Sequence, residues 1–245
     1  MNKTIATING NIGAGKTTFT NLLKEYFSDS EIVEEPVSIW KGLVDENEKN
    51  ILDKFYEDPE RYAYLFQNLA YISRIEETEK AIRKSKASIL FFDRSPQTDK
   101  HVFEKMLYDS KKISTIEHNI YNYWYDFCSK YVRPESQPNI IIYLRCSPET
   151  AYQRIMKRNR PEEKNITIEY LSEVHRYHEE WLNDTTDGKH VITIDCNRDF
   201  ESDISYQIEI MEMVKLKIAK IILETIFNKT NELYYPDIVY HGNHC

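Results

Sequence analysis

The sequence predicts an α/β fold, a five-stranded parallel sheet flanked by helices, and three observations carry that prediction. Five short apolar runs, Thr4–Asn9, Glu31–Glu34, Ser88–Phe92, Asn139–Leu144 and His190–Ile194, are rich in Ile, Val and Phe with little alternation. That is the pattern of strands buried on both faces. Longer stretches of helical periodicity separate them, and repeated strand–helix–strand order builds a doubly wound sheet. Between the first run and the first helical stretch stands Gly10-Asn11-Ile12-Gly13-Ala14-Gly15-Lys16-Thr17-Thr18. It matches G-x-x-x-x-G-K-S/T in the strand-to-helix setting that its mechanism needs.

The elements follow in order. Thr4–Asn9 leads straight into the glycine loop, whose backbone amides can curl round phosphate oxygens while the next helix adds its positive end. Lys16 is placed to reach the β- and γ-phosphates, and the Thr17 hydroxyl to ligate Mg²⁺. Gly10 through Thr18 are therefore the expected site for ATP or GTP; a chance glycine turn would lack these flanks. A GTP-dependent switch needs an N-K-x-D motif, and the nearest match, Asn228-Lys229-Thr230-Asn231, lacks the aspartate. Glu35 ends the second run at the sheet edge where open α/β sheets place ligands. A carboxylate there can accept a hydroxyl proton, or serve as a plain surface charge.

The long helical pattern after it carries an apolar stripe, Leu65, Leu69, Ile72 and Ile75, while Gln67, Ala70 and Arg74 share a face at i, i+3 and i+7. The third run ends in Asp93-Arg94, an arrangement that puts an acid near Mg²⁺. Ser95-Pro96 reads as N-cap and first helical residue. A further helix is expected from about His101 to Tyr131, where Tyr121, Tyr123, Trp124, Tyr125 and Phe127 imply a large buried face. Arg154 and Arg158 lie i, i+4 on a helix that breaks at Asn159-Arg160-Pro161. Such a basic cluster suits a lid over transferring phosphate, or a solvated basic face. Leu171, Val174, His175, His178, Trp181 and Leu182 recur at helical spacing; the two histidines have no third ligand and read as packing or surface. Tyr206–Phe227 is helical in pattern. No repeat or linker divides the chain, so residues 1–227 form one expected domain and 228–245 a tail without a role.

Composition narrows the class. A net charge of −8 over 245 residues argues against a nucleic-acid surface, which needs a basic excess to displace counterions. Cys128, Cys146, Cys196 and Cys245 form no C-x-x-C pair, as in a reduced intracellular protein. No apolar run approaches the ~18 residues of a membrane span. The first run begins too early to leave room for a signal peptide, so a cytoplasmic location with no membrane partner is expected.

Several segments, in this order and spacing, resemble the deoxycytidine/deoxyguanosine kinase family. They are Glu35-Pro36-Val37-Ser38-Ile39-Trp40; Tyr56 with Phe66-Gln67-Asn68-Leu69-Ala70 and Ser73-Arg74-Ile75; Asp93-Arg94-Ser95 with Asp99 and Phe103; and Arg154, Arg158, Arg160 and Glu162-Glu163. Glu169-Tyr170-Leu171, His178-Glu179-Glu180-Trp181-Leu182 and Asp195-Cys196-Asn197-Arg198-Asp199-Phe200 complete a match over about residues 4–200. The resemblance implies a P-loop kinase fold with an arginine-bearing lid and ATP-dependent phosphorylation of a deoxyribonucleoside 5′-hydroxyl. It also implies a homodimer through a helix bundle.

By the same resemblance Lys16, Glu35, Asp93 and Arg94 are catalytic. Glu35 accepts the proton and is oriented by Arg94; Asp93, with Thr17 the expected metal pair, is an alternative base. The family usually has glutamate at the position of Asp93, and bacterial-type members have aspartate. Gln67 contacts the base, Phe66 and Phe103 flank it, Trp40 walls the pocket, and Tyr56 and Glu163 bind the sugar 3′-hydroxyl. Arg74 with Asp99 implies deoxycytidine or a deoxypurine over thymidine. Arg154, Arg158 and Arg160 serve the phosphates, and Arg198, Asp199 and Phe200 lie in the adenine-holding loop. Two rivals stand beside this reading. A nucleoside-monophosphate kinase such as a thymidylate kinase would need extra cations for the acceptor phosphate. A catalytically inactive nucleotide-binding regulator would have no need of Lys16, Glu35, Asp93 and Arg94 together.

Overall fold

The computed structural model describes residues 3–132, 139–160, 163, 166–183 and 190–234, with side chains through 227. Pro161, Glu162, Cys245 and most of the expected tail lie outside the described residues. Strands β1 (Thr4–Gly10), β2 (Ser30–Val33), β3 (Ile89–Asp93), β4 (Ile140–Arg145) and β5 (His190–Asp195) fall within about one residue of the expected runs. They form one parallel sheet in the order β2-β3-β1-β4-β5. The central three are almost wholly buried, but β2 is only partly covered and β5 alternates. The expectation of five runs buried on both faces thus fails at the edges, where a strand has one neighbour and less helix above it. β2 also stops at Val33, leaving Glu35 beyond the strand, in the link to the next helix.

The helices are α1 (Lys16–Tyr26), α2 (Val37–Gly42), α3 (Ile51–Glu57), α4 (Pro59–Lys84), α5 (Pro96–Thr98), α6 (Lys105–Asp109), α7 (Thr115–Phe127), α8 (Pro148–Arg158), α9 (Ile168–Asn183) and α10 (Ile204–Tyr234). Wider π-helical turns occupy Asp99–Glu104 and Cys128–Val132. Alternation along β4 builds the core on both faces. Ile140, Ile142 and Leu144 pack with residues of α1, α8 and α10, such as Phe19, Ile155 and Met211. Ile141 and Tyr143 pack with Val102, Val174 and Trp181.

Four helical expectations are corrected. On α4, Leu65 and Ile72 are exposed (52% and 46%), whereas Gln67, Ala70, Ser73 and Arg74 are buried. Leu65 and Ile72 therefore face away from the chain, Leu69 and Ile75 are half-buried at the boundary, with Ile75 against the Tyr71–Tyr121 cluster, and the polar face looks inward. On α7 only Tyr121 of the aromatic cluster is fully buried; Tyr123, Trp124 and Phe127 are exposed. The single helix expected over 101–131 breaks between α6 and α7, where Ser114 and Glu117 form a capping box that starts the second helix afresh. At the other end, α10 continues past the expected boundary at residue 227.

Candidate active site

The glycine loop joins β1 to α1 with Gly13 at φ 82° and Gly15 at φ 94°, conformations that side chains rarely tolerate. Neighbours close both positions as well. A Cβ on Gly13 would lie 2.5 Å from the Ala151 carbonyl oxygen, and one on Gly15 would lie 2.7 Å from Phe200 Cζ. Helix α8 and the loop after β5 are thus packed directly against the phosphate loop. Lys16 Nζ lies over its own loop, donating to the carbonyls of Gly10 at 3.4 Å and Asn11 at 3.2 Å. Burial, reinforced by the Arg94 charge, lowers its pKa to about 8, which still leaves it protonated at neutral pH. Asn11 is structural: its amide donates to the Leu171 carbonyl at 2.8 Å, tying the loop to α9. Gly10, Asn11 and Ala14 are buried behind the loop, while Ile12, Gly13 and Gly15–Thr18 line a cleft of about 1040 Å³.

At the centre of that cleft a carboxylate is gripped by two guanidiniums. Glu35 Oε1 accepts from Arg94 Nη1 at 2.6 Å and from Arg74 Nη2 at 2.9 Å; Oε2 takes neither bond. Burial opposes ionisation of Glu35, but the charges of Arg94, Arg74 and Lys16 overcome it and hold the pKa at about 2. Asp93, beside it, is pushed the other way by burial and then by the Glu35 charge. Its Oδ1 is buried with no hydrogen-bond partner among the described residues. Arg94 is aimed by its backbone, which lies at φ 66° and donates its amide to the Ile8 carbonyl at 2.9 Å. A buried polar network fixes the next turn. Ser95 and Thr98 cap α5 reciprocally, the Thr98 hydroxyl donates to Asn9 Oδ1, and Asn9 Nδ2 donates to Thr7 at 3.0 Å. The phosphate loop and the Asp93-Arg94 turn are therefore held in mutual register.

The far end of the cleft is aromatic. Trp40 is held by a bond from Nε1 to Ser73 Oγ at 2.9 Å and meets Phe66 edge-on at 5.3 Å. Phe103 lies under the Arg94 guanidinium at 5.0 Å. Gln67 is 3% exposed and its Oε1 has no partner among the described residues, so an acceptor is presented to the cleft. Arg74 donates through Nε to Asp99 Oδ2 at 2.8 Å. Tyr56 also lines this end. On the lid side Arg154, Arg158, Arg160 and Glu163 all border the cleft, but Arg158 and Glu163 are engaged with each other through a two-pronged contact. Asp199 and Phe200 border it too. Arg198 does not: it is exposed and pairs with Asp203 at 2.6 Å.

A family model described as deoxynucleoside kinase matches residues 6–219. The chain belongs to the deoxynucleoside kinase family. It is 34% identical over 232 residues to deoxycytidine kinase 1 of Xenopus laevis, a match covering 85% of this chain and 88% of that one. It is 35% identical over 226 residues to deoxycytidine kinase of Homo sapiens, covering 82% and 87%. Mitochondrial deoxyguanosine kinase of Xenopus laevis is 28% identical over 234 residues, covering 86% and 88%. As a deoxynucleoside kinase the chain is a phosphotransferase of nucleotide salvage, with ATP as the phosphate donor that the family implies. Among the described residues no helix is long and apolar enough to cross a membrane.

Within this deoxynucleoside kinase, Leu52 and Phe55 line the cleft without belonging to any motif, and Val37, Tyr170 and Asn197 line it from quoted segments in which the sequence reading gave them no role. Tyr170 had a usable signal. It stands one turn before Val174 on the buried stripe of α9 and packs against both core clusters, so its position at the mouth follows from the helix period. His178, on the same stripe, is buried with Nδ1 bonded to the Val174 carbonyl at 2.8 Å. Burial depresses it to about 3, and no group of three metal-ligating side chains occurs among the described residues.

Proposed function

We propose that this deoxynucleoside kinase transfers the γ-phosphate of ATP to the 5′-hydroxyl of a deoxyribonucleoside, with Glu35 as the group that receives the hydroxyl. One observation carries the reading: both guanidiniums end on Oε1 of Glu35, leaving Oε2 for a neutral hydroxyl between the phosphate loop and Gln67. A carboxylate held near pKa 2 is a weak base, so its larger contribution is to aim the nucleophile. That suits phosphoryl transfer, whose loose transition state rewards positioning and electrostatics over proton abstraction. Lys16, Arg94 and the arginines at 154, 158 and 160 offset charge on the moving phosphoryl group. Thr17 and Asp93 would hold Mg²⁺, which supplies further neutralisation of the phosphates. The all-oxygen donor pair and the unpartnered Asp93 Oδ1 suit a hard cation. Asp93, with its raised pKa, is the alternative base.

On the nucleoside side Gln67 would bind the base edge, Phe66 and Phe103 flank the ring, and Trp40 close the wall. Tyr56 and Glu163 would take the 3′-hydroxyl, with Glu163 shared between sugar and Arg158. Asp199 and Phe200 are the better adenine-side candidates, because the Arg198 charge is committed to Asp203 outside the cleft. Arg74 paired with Asp99 supports deoxycytidine, deoxyadenosine or deoxyguanosine over thymidine. Exposed apolar residues on α4 and α7, among them Leu65, Ile72 and Trp124, support a homodimer, and in this reading the enzyme is single-domain and cytoplasmic. Assays with ATP across the four deoxynucleosides and their monophosphates test the reading. Phosphate must appear on nucleosides; turnover of monophosphates alone, or ATP binding with no turnover, overturns it.

A further inference from the structure

We propose that Arg74 is a positioning residue that ties recognition of the base to the setting of Glu35, so that base identity changes kcat and not affinity alone. The inference rests on the reading of Glu35 as the group facing the 5′-hydroxyl.

Arg74 lies midway along α4 and is 4% exposed. Nε donates to Asp99 Oδ2 at 2.8 Å, and Nη1 donates to the Asp93 carbonyl at 2.9 Å. Nη2 serves two carboxylates at once, Glu35 Oε1 at 2.9 Å and Asp99 Oδ1 at 3.3 Å. A guanidinium carries five N–H donors in one rigid plane, and these contacts occupy four of them. The fork cannot rotate toward Asp99 without drawing Nη2 away from Glu35. Trp40 restricts other movement, because its ring lies 5.7 Å from Arg74 Cζ and is itself anchored to Ser73.

The two ends of this guanidinium look at different parts of the substrate. Gln67, on the same face of α4 two turns earlier, and Asp99 mark the base side; Glu35 marks the reacting side. A base that gives an amino hydrogen to Asp99 competes with the Arg74 fork for the same oxygens. A base that crowds that corner pushes the fork bodily. Either event changes the second cation on Oε1 of Glu35, leaving Arg94 to orient the carboxylate with more or less help. A purely structural Arg74 would fill space and satisfy Asp99, and bases would then differ in binding only.

Single-turnover phosphorylation at saturating ATP and nucleoside tests this in the wild type. Deoxycytidine, 5-methyldeoxycytidine, deoxyuridine and thymidine change the base edge while keeping the sugar constant. The expected result is a spread in the maximal rate of about tenfold or more that does not follow the order of KM. In Glu35→Gln the residual rates should lie within about threefold of one another while the spread in KM survives. Arg74→Met should compress the rate spread likewise, and Arg74→Lys, which keeps the charge but not the fork, should not restore it. Should the Arg74 variants fail to fold, the wild-type and Glu35→Gln series decides alone. Bases that differ only in KM in the wild type, or an undiminished rate spread in a slow Glu35→Gln enzyme, overturn the coupling. A Glu35→Gln enzyme as fast as wild type on deoxycytidine overturns instead the assignment of Glu35 on which the coupling stands.

Discussion

Replacing Glu35 by Gln separates charge from shape at the carboxylate between the two guanidiniums. The amide keeps a carbonyl oxygen for the donors of Arg94 and Arg74 but removes the negative charge and places N–H groups where Oε2 stood. Burial works against the native carboxylate, yet Arg94, Arg74 and Lys16 hold it at about 2, below the ordinary 4.5. At about 1.4 kcal/mol per pKa unit the gap corresponds to roughly 3 kcal/mol of folded-state stabilisation. The sign follows from the depressed value. This stability is fully present above the unfolded pKa near 4.5 and is lost as pH falls through the folded value near 2. Glu35→Gln should therefore melt roughly 6–12 °C lower at neutral pH, and its melting temperature should lose this part of its acid sensitivity. Single-turnover assays should show the chemical step slowed by roughly 10²–10⁴, with nucleoside affinity far less affected. A rate within tenfold of wild type would refute the reasoning. If Asp93→Asn gives the slow phenotype and Glu35→Gln does not, the proton acceptor is Asp93.

Four other outcomes follow from the same geometry. Lys16→Ala should nearly abolish turnover without lowering the melting temperature, because the depressed pKa marks a buried ammonium that the fold holds at a cost; activity within a few-fold of wild type refutes it. In the wild type, kcat/KM for ATP should fall as pH rises through about 8, the value of Lys16 in the free enzyme, and a profile flat to pH 10 counts against the role. Arg74→Met combined with Asp99→Ala should shift kcat/KM toward thymidine; a wild-type enzyme already fastest on thymidine sinks the base preference. Leu65→Glu with Trp124→Glu, both exposed on the outward faces of α4 and α7, should convert a dimer to monomer by sedimentation velocity, and an unchanged coefficient denies those faces the interface.

What the sequence disclosed depended on whether a residue's neighbours lay along the chain or across it. The three central strands were legible because burial on both faces leaves a local compositional mark, the edge strands because they keep short Ile- and Val-bearing runs, and the phosphate loop because glycine is demanded at Gly13 and Gly15 whatever surrounds them. Gln67, Ala70 and Arg74 could be placed on one face by period alone. Which face was inward could not. Apolar Leu65 and Ile72 pointed to a core, but the inward side of α4 lines the cleft and rewards polarity instead. On α7 the aromatic density marked the wrong face, since Tyr121 packs inward against Tyr71 while Tyr123, Trp124 and Phe127 point out. The pairing of Glu35 with Arg94 came with the resemblance, but the second grip on Glu35, from Arg74, needed three segments to meet. The Arg158–Glu163 contact and the outward pairing of Arg198 with Asp203 likewise depend on how loops return, which periodicity does not encode.

Arg94 holds its guanidinium on Glu35 from a left-handed backbone at φ 66°, a conformation costing a side-chain-bearing residue roughly 1–2 kcal/mol. Glycine would occupy that turn with ease. That relief is smaller than the loss it would bring, because glycine or asparagine at 94 would leave buried Glu35 one guanidinium short, a change of about 3–5 kcal/mol. The strained turn is thus held in place by the ion pair it aims, and a library screened only for survival of heat would keep arginine there. Attempts to harden this enzyme should hold residue 94 constant and seek their gains on the surface, away from the turn that aims it.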